Sequence, residues 1–212
     1  RHRRPRGDPW EHLLGAKWRR RWPHCAVGRR AEEPRDHDAA RERAVVGEEL
    51  TKAKAKLEEI LADNPSITRK LRALWSLYSI GATDEKSLLS LLDHDEEHIR
   101  VWAIQFLVDK EVPSDNTIDA LAKLAQKEKS GLVRLYLASA LRKLPLEKRW
   151  PLATALAQSK DLAEDPMFPL LLWYGIEPAI AENSTAAIKL VAVSKIPKLR
   201  QFIPRRLAEK SK

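Results

Sequence analysis

A near-regular spacing of arginines constrains this 212-residue chain more than any other feature. Arg69 lies 31 residues before Arg100, and Arg134 lies 34 residues after it. Arg200 follows Arg134 by 66 residues, which is two steps of 33 with Met167 at the midpoint. Periods of this length are typical of repeat proteins, in which each unit buries its apolar face only by stacking on its neighbours. We call these five positions the repeat anchors.

Each repeat anchor is predicted to lie at the start of a helix. The third and seventh residues after an anchor are apolar in the later repeats, and these two positions share one face of a helix. They are Ala103, Leu107, Leu137, Leu141, Leu170, Tyr174, Ile203 and Leu207.

A second helix is predicted between successive anchors, over residues 86–93, 117–128, 147–159 and 184–194. No segment shows the sustained alternation of β-branched residues that indicates strands. The predicted N-caps are side chains that can accept a hydrogen bond from the first helical turn. They are Asp84 for the first of these helices, Asn116 or Thr117 for the second, and Asn183 or Ser184 for the last.

Two helices per period predict an all-α fold, a HEAT-like α-solenoid of about four to five helix pairs over residues 66–212. Tetratricopeptide repeats have a similar period, but their Trp, Gly and Tyr spacing is missing, and the ankyrin motif TPLH is absent. Residues 39–65 are predicted as a capping helix or as half of a degenerate first unit, and the helix is predicted to end at Asn64-Pro65, because helical geometry is disfavoured for the residue before proline.

The N-terminal segment, residues 1–38, is irregular and rich in arginine. Residues 1–46 hold thirteen basic and seven acidic residues, a net charge of +6, whereas residues 47–212 carry only +3. Arginines interleaved with Trp10, Trp18 and Trp22 could pair with phosphates and stack on bases. The alternatives are a disordered basic tail or an error in the gene model or reading frame, because arginine abruptly gives way to lysine after this segment. No functional prediction depends on it.

The arginine anchors are predicted to be structural. Each would pair with a carboxylate from the preceding turn or from a neighbouring unit, and the local candidates for Arg100 are Asp93, Asp95 and Glu96. The tryptophans of the repeat are predicted to cover the seams between helices rather than to hold a ligand. The structural residues predicted in this way are Arg69, Arg100, Arg134, Arg200, Trp75, Trp102 and Trp173.

Catalytic and cofactor motifs are not recognisable, so the chain is predicted not to be an enzyme and to bind no metal or cofactor. Cys25 is the single cysteine, which excludes an internal disulfide, a CxxC pair and a CxxCH haem site within these residues. His94 and His98 are four residues apart, but the spacing lacks the HExxH pattern and a third ligand. The acidic turn with Asp161 and Asp165 is predicted to be solvated or to cap a helix.

Several segments together resemble one family. They include residues 71–75 (LRALW), 97–103 (EHIRVWA) and 173–178 (WYGIEP), within a matching region of residues 66–209. These segments are similar to the HEAT-repeat region of large, secreted, membrane-bound dehydrogenase-like proteins of planctomycetes and related bacteria, which carry a haem-binding CxxCH domain.

The resemblance implies a non-catalytic scaffold or linker from a larger extracytoplasmic redox protein. A dehydrogenase-like β-propeller would precede the repeats, and a cytochrome c-like domain that holds haem c would follow them. The start at Arg1 agrees with a fragment. The expected partners are these adjacent domains or another protein, and the expected location is the periplasm or another compartment outside the cytoplasm.

The alternative function is that of a basic HEAT-like solenoid that binds nucleic acid, with a role in DNA repair. It requires a one-sided basic stripe on the repeats. The net charge of only +3 on residues 47–212 disfavours this alternative. No run of apolar residues is long enough for a transmembrane helix.

Overall fold

The computed structural model describes residues 36–109 and 112–210. Residues 1–35 lie outside this part, and so do the predictions made for the arginine-rich segment and its three tryptophans. The described residues form an all-helical structure without strands. Its helices are α1 (Asp36–Asp63), α2 (Ile67–Ser79), α3 (Glu85–Ser90), α4 (Glu97–Leu107), α5 (Asp115–Lys127), α6 (Gly131–Ala140), α7 (Trp150–Leu156), α8 (Phe168–Ile180), α9 (Ser184–Val193) and α10 (Pro197–Lys210).

The even-numbered helices coincide with the repeat anchors. Arg69 lies in the first turn of α2, Arg100 in that of α4, and Arg134 in that of α6. Met167 is the N-cap of α8, and Arg200 lies in the first turn of α10. Each segment predicted between two anchors overlaps one of the odd-numbered helices, although α3 begins one residue and α5 two residues before the predicted start.

Two of the predicted helix caps are present, and the prediction for α5 is wrong. The Asp84 carboxylate accepts from the Ser87 backbone N–H at 2.8 Å, and Asn183 Oδ1 accepts from the Ala186 N–H at 2.9 Å. Helix α5 is capped by Ser114, whose Oγ accepts from the Thr117 N–H at 3.1 Å, and not by Asn116 or Thr117. Thr117 itself is buried, so it lies at the third helical position rather than at the cap.

The chain divides into two units at the boundary between Glu49 and Leu50. Within the second unit, residues 50–212, each helix packs against the next helix but one. The even-numbered helices α2, α4, α6, α8 and α10 pack successively in one row, and the odd-numbered helices α3, α5, α7 and α9 pack in another. This arrangement places every even-numbered helix beside its equivalent in the neighbouring repeat.

The core of this unit lies between the two rows and runs along them. One continuous cluster of buried side chains extends from Leu92 to Ile203. A smaller cluster around Leu74, Leu88 and Ile99 joins the N-terminal helices, with Trp102 packed against it. In the described residues, helices that belong to successive anchors therefore contribute side chains to one shared cluster.

Helices α6 and α8 approach closely at Gly175. A Cβ atom at this position would lie 2.7 Å from the Leu141 Cβ and 3.0 Å from its Cδ1. Leu141 is fully buried, so it has no space to move into. The short contact therefore requires glycine at position 175.

We expect Gly175→Ala to destabilise the protein, although alanine is the better helix former. Alanine gains up to about 1 kcal/mol in a helix interior, but overpacking a core costs about 1–3 kcal/mol. The net loss, roughly 1–2 kcal/mol, is measurable by urea denaturation. Gly131→Ala in α6 is the matched control, because its Cβ would meet Leu162 at an ordinary 3.5 Å. Equal stability of the two variants would contradict the close approach.

Candidate binding surface

Arg100 links two successive repeats through Glu128. Its Nε donates to Glu128 Oε2 at 2.8 Å and its Nη2 to Oε1 at 3.0 Å. Its Nη1 donates to the backbone carbonyls of His94 and Asp95. The sequence left two sources open for this carboxylate, the preceding turn or a neighbouring helix pair. It comes from the neighbouring helix pair, 28 residues away, and not from Asp93, Asp95 or Glu96.

Glu128 also organises the start of α6. Its Oε1 accepts the backbone N–H groups of Lys129 and Ser130 at 2.9 and 2.8 Å. Only 5% of its side chain is exposed. Burial pushes the pKa of Glu128 upward, but the hydrogen bonds and charge of Arg100 outweigh burial and hold the pKa below its ordinary value.

We expect Glu128→Gln to lower the free energy of unfolding by about 1–3 kcal/mol at neutral pH, since it weakens a charge-assisted bidentate pair. A carboxyl whose folded pKa is depressed stabilises the fold above its unfolded pKa of about 4.3. That stabilisation is lost as pH falls through the lower folded pKa. The difference between wild type and variant should therefore shrink in acid, as measured by urea denaturation across pH. The exposed Glu164→Gln is the control, and a pH-independent difference would contradict this role.

Arg134 makes an analogous link, with a more exposed partner. Its Nη1 donates to Asp161 Oδ1 at 2.8 Å, and its Nη2 donates to the Lys129 carbonyl. The hydrogen bond from Arg134 lowers the pKa of Asp161. In the same acidic turn, Asp165 Oδ1 accepts the N–H groups of Met167, the N-cap residue of α8, and of Phe168, its first residue.

The other two arginine anchors occupy different surroundings. Arg69 and Arg200 are exposed, and neither side chain has a hydrogen bond or ion pair among the described residues. Among the described residues, Arg100 and Arg134 are therefore the arginine anchors that form this link to a carboxylate. Equal spacing along the sequence puts the arginine anchors at equivalent positions of their helices. The burial of each arginine side chain depends on what the adjacent helices bring near it.

Sequence analysis missed Arg149, which is 7% exposed. Its Nε donates to the Leu144 carbonyl at 2.9 Å and its Nη1 to the Gly175 carbonyl at 2.6 Å. A longer bond joins its Nη2 to the Arg142 carbonyl. Burial, and then the charge of Arg142, lower the pKa of Arg149. Arg149 lies outside the 33-residue series, so periodicity could not reveal it.

Polar contacts between repeats recur beyond the arginines. Lys127 Nζ lies 2.5 Å from Asp93 Oδ1, 34 residues away. Ser130 donates to Glu97, 33 residues away, and Lys148 pairs with Asp115 across the same interval. Several of these side chains are largely exposed, so each such pair contributes little by itself. Their intervals of 33 or 34 residues match the spacing of the later repeat anchors.

The even-numbered helices carry a row of aromatic side chains, which we call the aromatic strip. It consists of three pairs that bridge these helices, together with Tyr136 on α6. The centroids of Trp75 and Trp102 are 5.0 Å apart, those of Trp173 and Phe202 are 5.3 Å apart, and Tyr78 stacks on Phe106 at 3.7 Å.

The strip is partly accessible to solvent. Trp75 is 38% exposed, and Trp102 and Trp173 are half-buried. The three tryptophans thus lie at seams between even-numbered helices, where the sequence placed them. A signal in the sequence could have revealed most of the strip, because every member except Tyr78 occurs two or six residues after an anchor, and these two positions are four apart and share a helix face.

Tyr78 is tied to the next even-numbered helix. Its hydroxyl donates to Asp109 Oδ2 at 3.0 Å. Burial, followed by the hydrogen bond and charge of Asp109, raises the pKa of Tyr78 to about 12. The phenol therefore stays protonated at neutral pH and keeps donating, while the Asp109 carboxylate is engaged within the protein.

A groove of about 620 Å³ lies on this side of α4 and α6. Trp102, Phe106 and Tyr136 form its aromatic wall, and Arg142 and Lys143 lie at the end that follows α6. Its volume is within the range of ligand pockets, about 300–1,000 Å³. Aromatic side chains beside two cations form a lining that is suited to binding.

The two histidines considered as metal ligands occupy the turn before α4. His94 is half-buried, and its Nδ1 accepts from the Glu96 N–H at 3.0 Å. Burial and the charge of Lys70 lower the pKa of His94. His98 is exposed on α4. Residues 36–109 and 112–210 contain no group of three or more His, Cys, Asp or Glu that could hold a metal ion.

Comparison with known proteins gives no relative: no family model, curated protein or solved structure matches the chain. In the part of the chain that the structure describes, no helix has the length and apolar character needed to cross a membrane.

Proposed function

We propose that this chain is a non-catalytic scaffold, a HEAT-like α-solenoid that holds a protein partner along its aromatic strip. The packing of each helix against the next helix but one supports the solenoid, because helices of successive repeats lie side by side in such a fold. The recurring polar contacts across 33 or 34 residues support the same repeat register.

The accessible aromatic strip is the observation that carries the proposed function. Most large apolar side chains of residues 50–212 lie in the shared core, whereas Trp75, Trp102 and Trp173 keep a part of their surface in contact with solvent. Aromatic residues are enriched where proteins bind proteins, and they supply large contact area at low cost in conformational entropy. Their placement on successive equivalent helices gives an extended surface rather than a single pocket.

The contacts between repeats favour a preorganised surface. Glu128 accepts hydrogen bonds from Arg100 and from two backbone N–H groups. Arg134 donates to Asp161, which follows it by 27 residues. Side chains fixed before binding lose less conformational entropy when a partner arrives. A scaffold of this kind needs no moving part and no reacting group.

Site-specific photo-crosslinking in the native cell tests the scaffold. A photoreactive phenylalanine analogue at position 139, on the groove side of α6, should give protein adducts that mass spectrometry identifies. The same analogue at the exposed position 126 of α5 is the control and should give few adducts. Nucleic-acid adducts at position 139, no adducts, or equal yields at both positions would contradict the proposed function.

The family resemblance extends this proposal to a larger redox protein outside the cytoplasm. The repeats would then hold a dehydrogenase-like propeller and a cytochrome c-like domain in fixed relation, and haem c would belong to the latter. Determining the genomic sequence on both sides of the coding region tests this extension. A propeller segment upstream and a CxxCH motif downstream are the expected result, and a continuous reading frame without either would contradict it.

A further inference from the structure

We propose that the groove between α4 and α6 binds an acidic peptide segment of a partner protein, which inserts an aromatic or leucine side chain beside aspartate or glutamate. The inference rests on the proposed scaffold function and names the chemistry of its partner. It depends on the aromatic wall of the groove, on the two cations at its end, and on the way the protein holds both in place.

The aromatic wall favours an apolar side chain of the peptide. Trp102, Phe106 and Tyr136 are each half-buried, so each keeps a surface that a ligand can cover. Burying apolar surface contributes about 25 cal/mol per Å². At about 620 Å³, the groove admits a large side chain and the adjoining backbone of a peptide.

Arg142 and Lys143 supply the positive charge. Both are exposed, and both line the groove from the short 3₁₀ segment after α6. Neither is in an ion pair with any residue of the described part of the chain. The acidic residue of the groove lining is Asp109, which accepts a hydrogen bond from the Tyr78 hydroxyl and forms no ion pair with Arg142 or Lys143. The groove lining therefore carries two cations against one carboxylate, a net charge of +1, and an anionic residue placed beside Arg142 and Lys143 complements them.

The backbone beneath the cations is fixed. Arg149 is buried and donates to the Arg142 carbonyl and to the Leu144 carbonyl, on either side of Lys143. The positive charges of Arg149 and Arg142 repel each other, and this repulsion, second to burial, lowers the pKa of Arg149. An incoming carboxylate would reduce this repulsion without any rearrangement of the backbone.

A protein segment fits this groove better than a nucleic acid. Binding of single strands requires open aromatic faces on which bases stack. Here Tyr78 stacks on one face of Phe106 at 3.7 Å, and Trp75 packs edge-on with Trp102, which leaves fewer open faces for successive bases. The Asp109 carboxylate in the lining would also repel phosphates, whereas a short peptide can place its carboxylates beside Arg142 and Lys143 only.

Selection from a phage-displayed library of random peptides on the purified full chain tests the inference. The enriched peptides should carry aspartate or glutamate next to Trp, Phe or Leu. One enriched peptide, labelled with a fluorophore, then serves as the probe in anisotropy titrations. Its affinity should fall by about tenfold or more for Arg142→Glu/Lys143→Glu, because the partner's carboxylates then meet like charge. It should also fall with rising salt.

The control variant is Lys123→Glu/Lys189→Glu, which changes the net charge equally at exposed positions on α5 and α9. It should bind the peptide within about twofold of wild type, a difference well below the 1.4 kcal/mol of a tenfold change. Circular dichroism checks the fold of each variant. Arg142→Gln/Lys143→Gln, which removes charge without reversing it, should bind with intermediate affinity and covers the case in which charge reversal disturbs folding.

Three results would overturn the inference: no enriched peptide, enriched peptides without acidic residues, or equal loss of affinity in the groove and control variants. A labelled single-stranded oligonucleotide is titrated in parallel, and its displacement of the peptide from the groove would also overturn it. Non-acidic peptides together with protein crosslinks at position 139 would refute the inference alone. Failure of the crosslinking experiment at position 139 would refute the scaffold function itself, and the inference with it.

Discussion

Phe168→Ala should lower the free energy of unfolding by about 3–5 kcal/mol, the largest effect that we expect from one substitution in this chain. Phe168 is fully buried at the start of α8 and belongs to the core cluster that several repeats share. Alanine would remove the ring and leave a cavity. The neighbouring helices could fill it only by moving away from their other packing contacts. Urea denaturation followed by circular dichroism measures the loss.

Tyr174→Ala on the same helix is the matched control for Phe168→Ala. Tyr174 is 60% exposed, so its removal should change the stability by no more than about 0.5 kcal/mol. A loss at position 168 as small as the loss at position 174 would mean that α8 is not packed into a shared core, and it would contradict the repeat arrangement.

Arg149→Met should cost about 2–4 kcal/mol, although methionine matches the arginine stem in shape. The guanidinium donates to the carbonyls of Leu144, Gly175 and Arg142. Losing a charged donor leaves buried acceptors unsatisfied, at about 1–3 kcal/mol for each group that water cannot reach. The partial recovery expected for Arg149→Lys would separate the loss of hydrogen bonds from the loss of packing.

The control for Arg149→Met is Arg69→Met, because Arg69 is exposed on α2. Its replacement should be neutral to within about 0.5 kcal/mol. If methionine at position 149 stabilised the protein instead, the cost of burying the charge would exceed the value of its hydrogen bonds, as happens for some buried ion pairs. Urea denaturation at neutral pH distinguishes these outcomes.

The position and order of the helices were predictable from the sequence because helix formation is governed by local patterns. The stripe at the third and seventh residues after each anchor predicted helices that α4 and α6 confirm. Caps depend on single atoms, and there the prediction was less reliable. Asp84 caps α3 as predicted, but Ser114 rather than Thr117 caps α5.

The candidate binding surface was only partly predictable. Trp102 was recognised as a seam residue, whereas the groove formed with Tyr136 and the cation at Arg142 was not. A groove between two helices depends on the distance and rotation between them, which no pattern within one helix encodes. Arg149 was missed for a related reason, because its three acceptors lie five to 26 residues away along the chain.

The sequence by itself predicted an all-α fold with anchors 31 to 34 residues apart, because apolar spacing and capping act within a few residues of each position. Only the tertiary structure decided that Arg100 pairs with Glu128 while Arg69 stays exposed. The two positions are equivalent in the repeat, but burial and ion pairing depend on what the adjacent helices bring near. Those contacts form only when the repeats pack together.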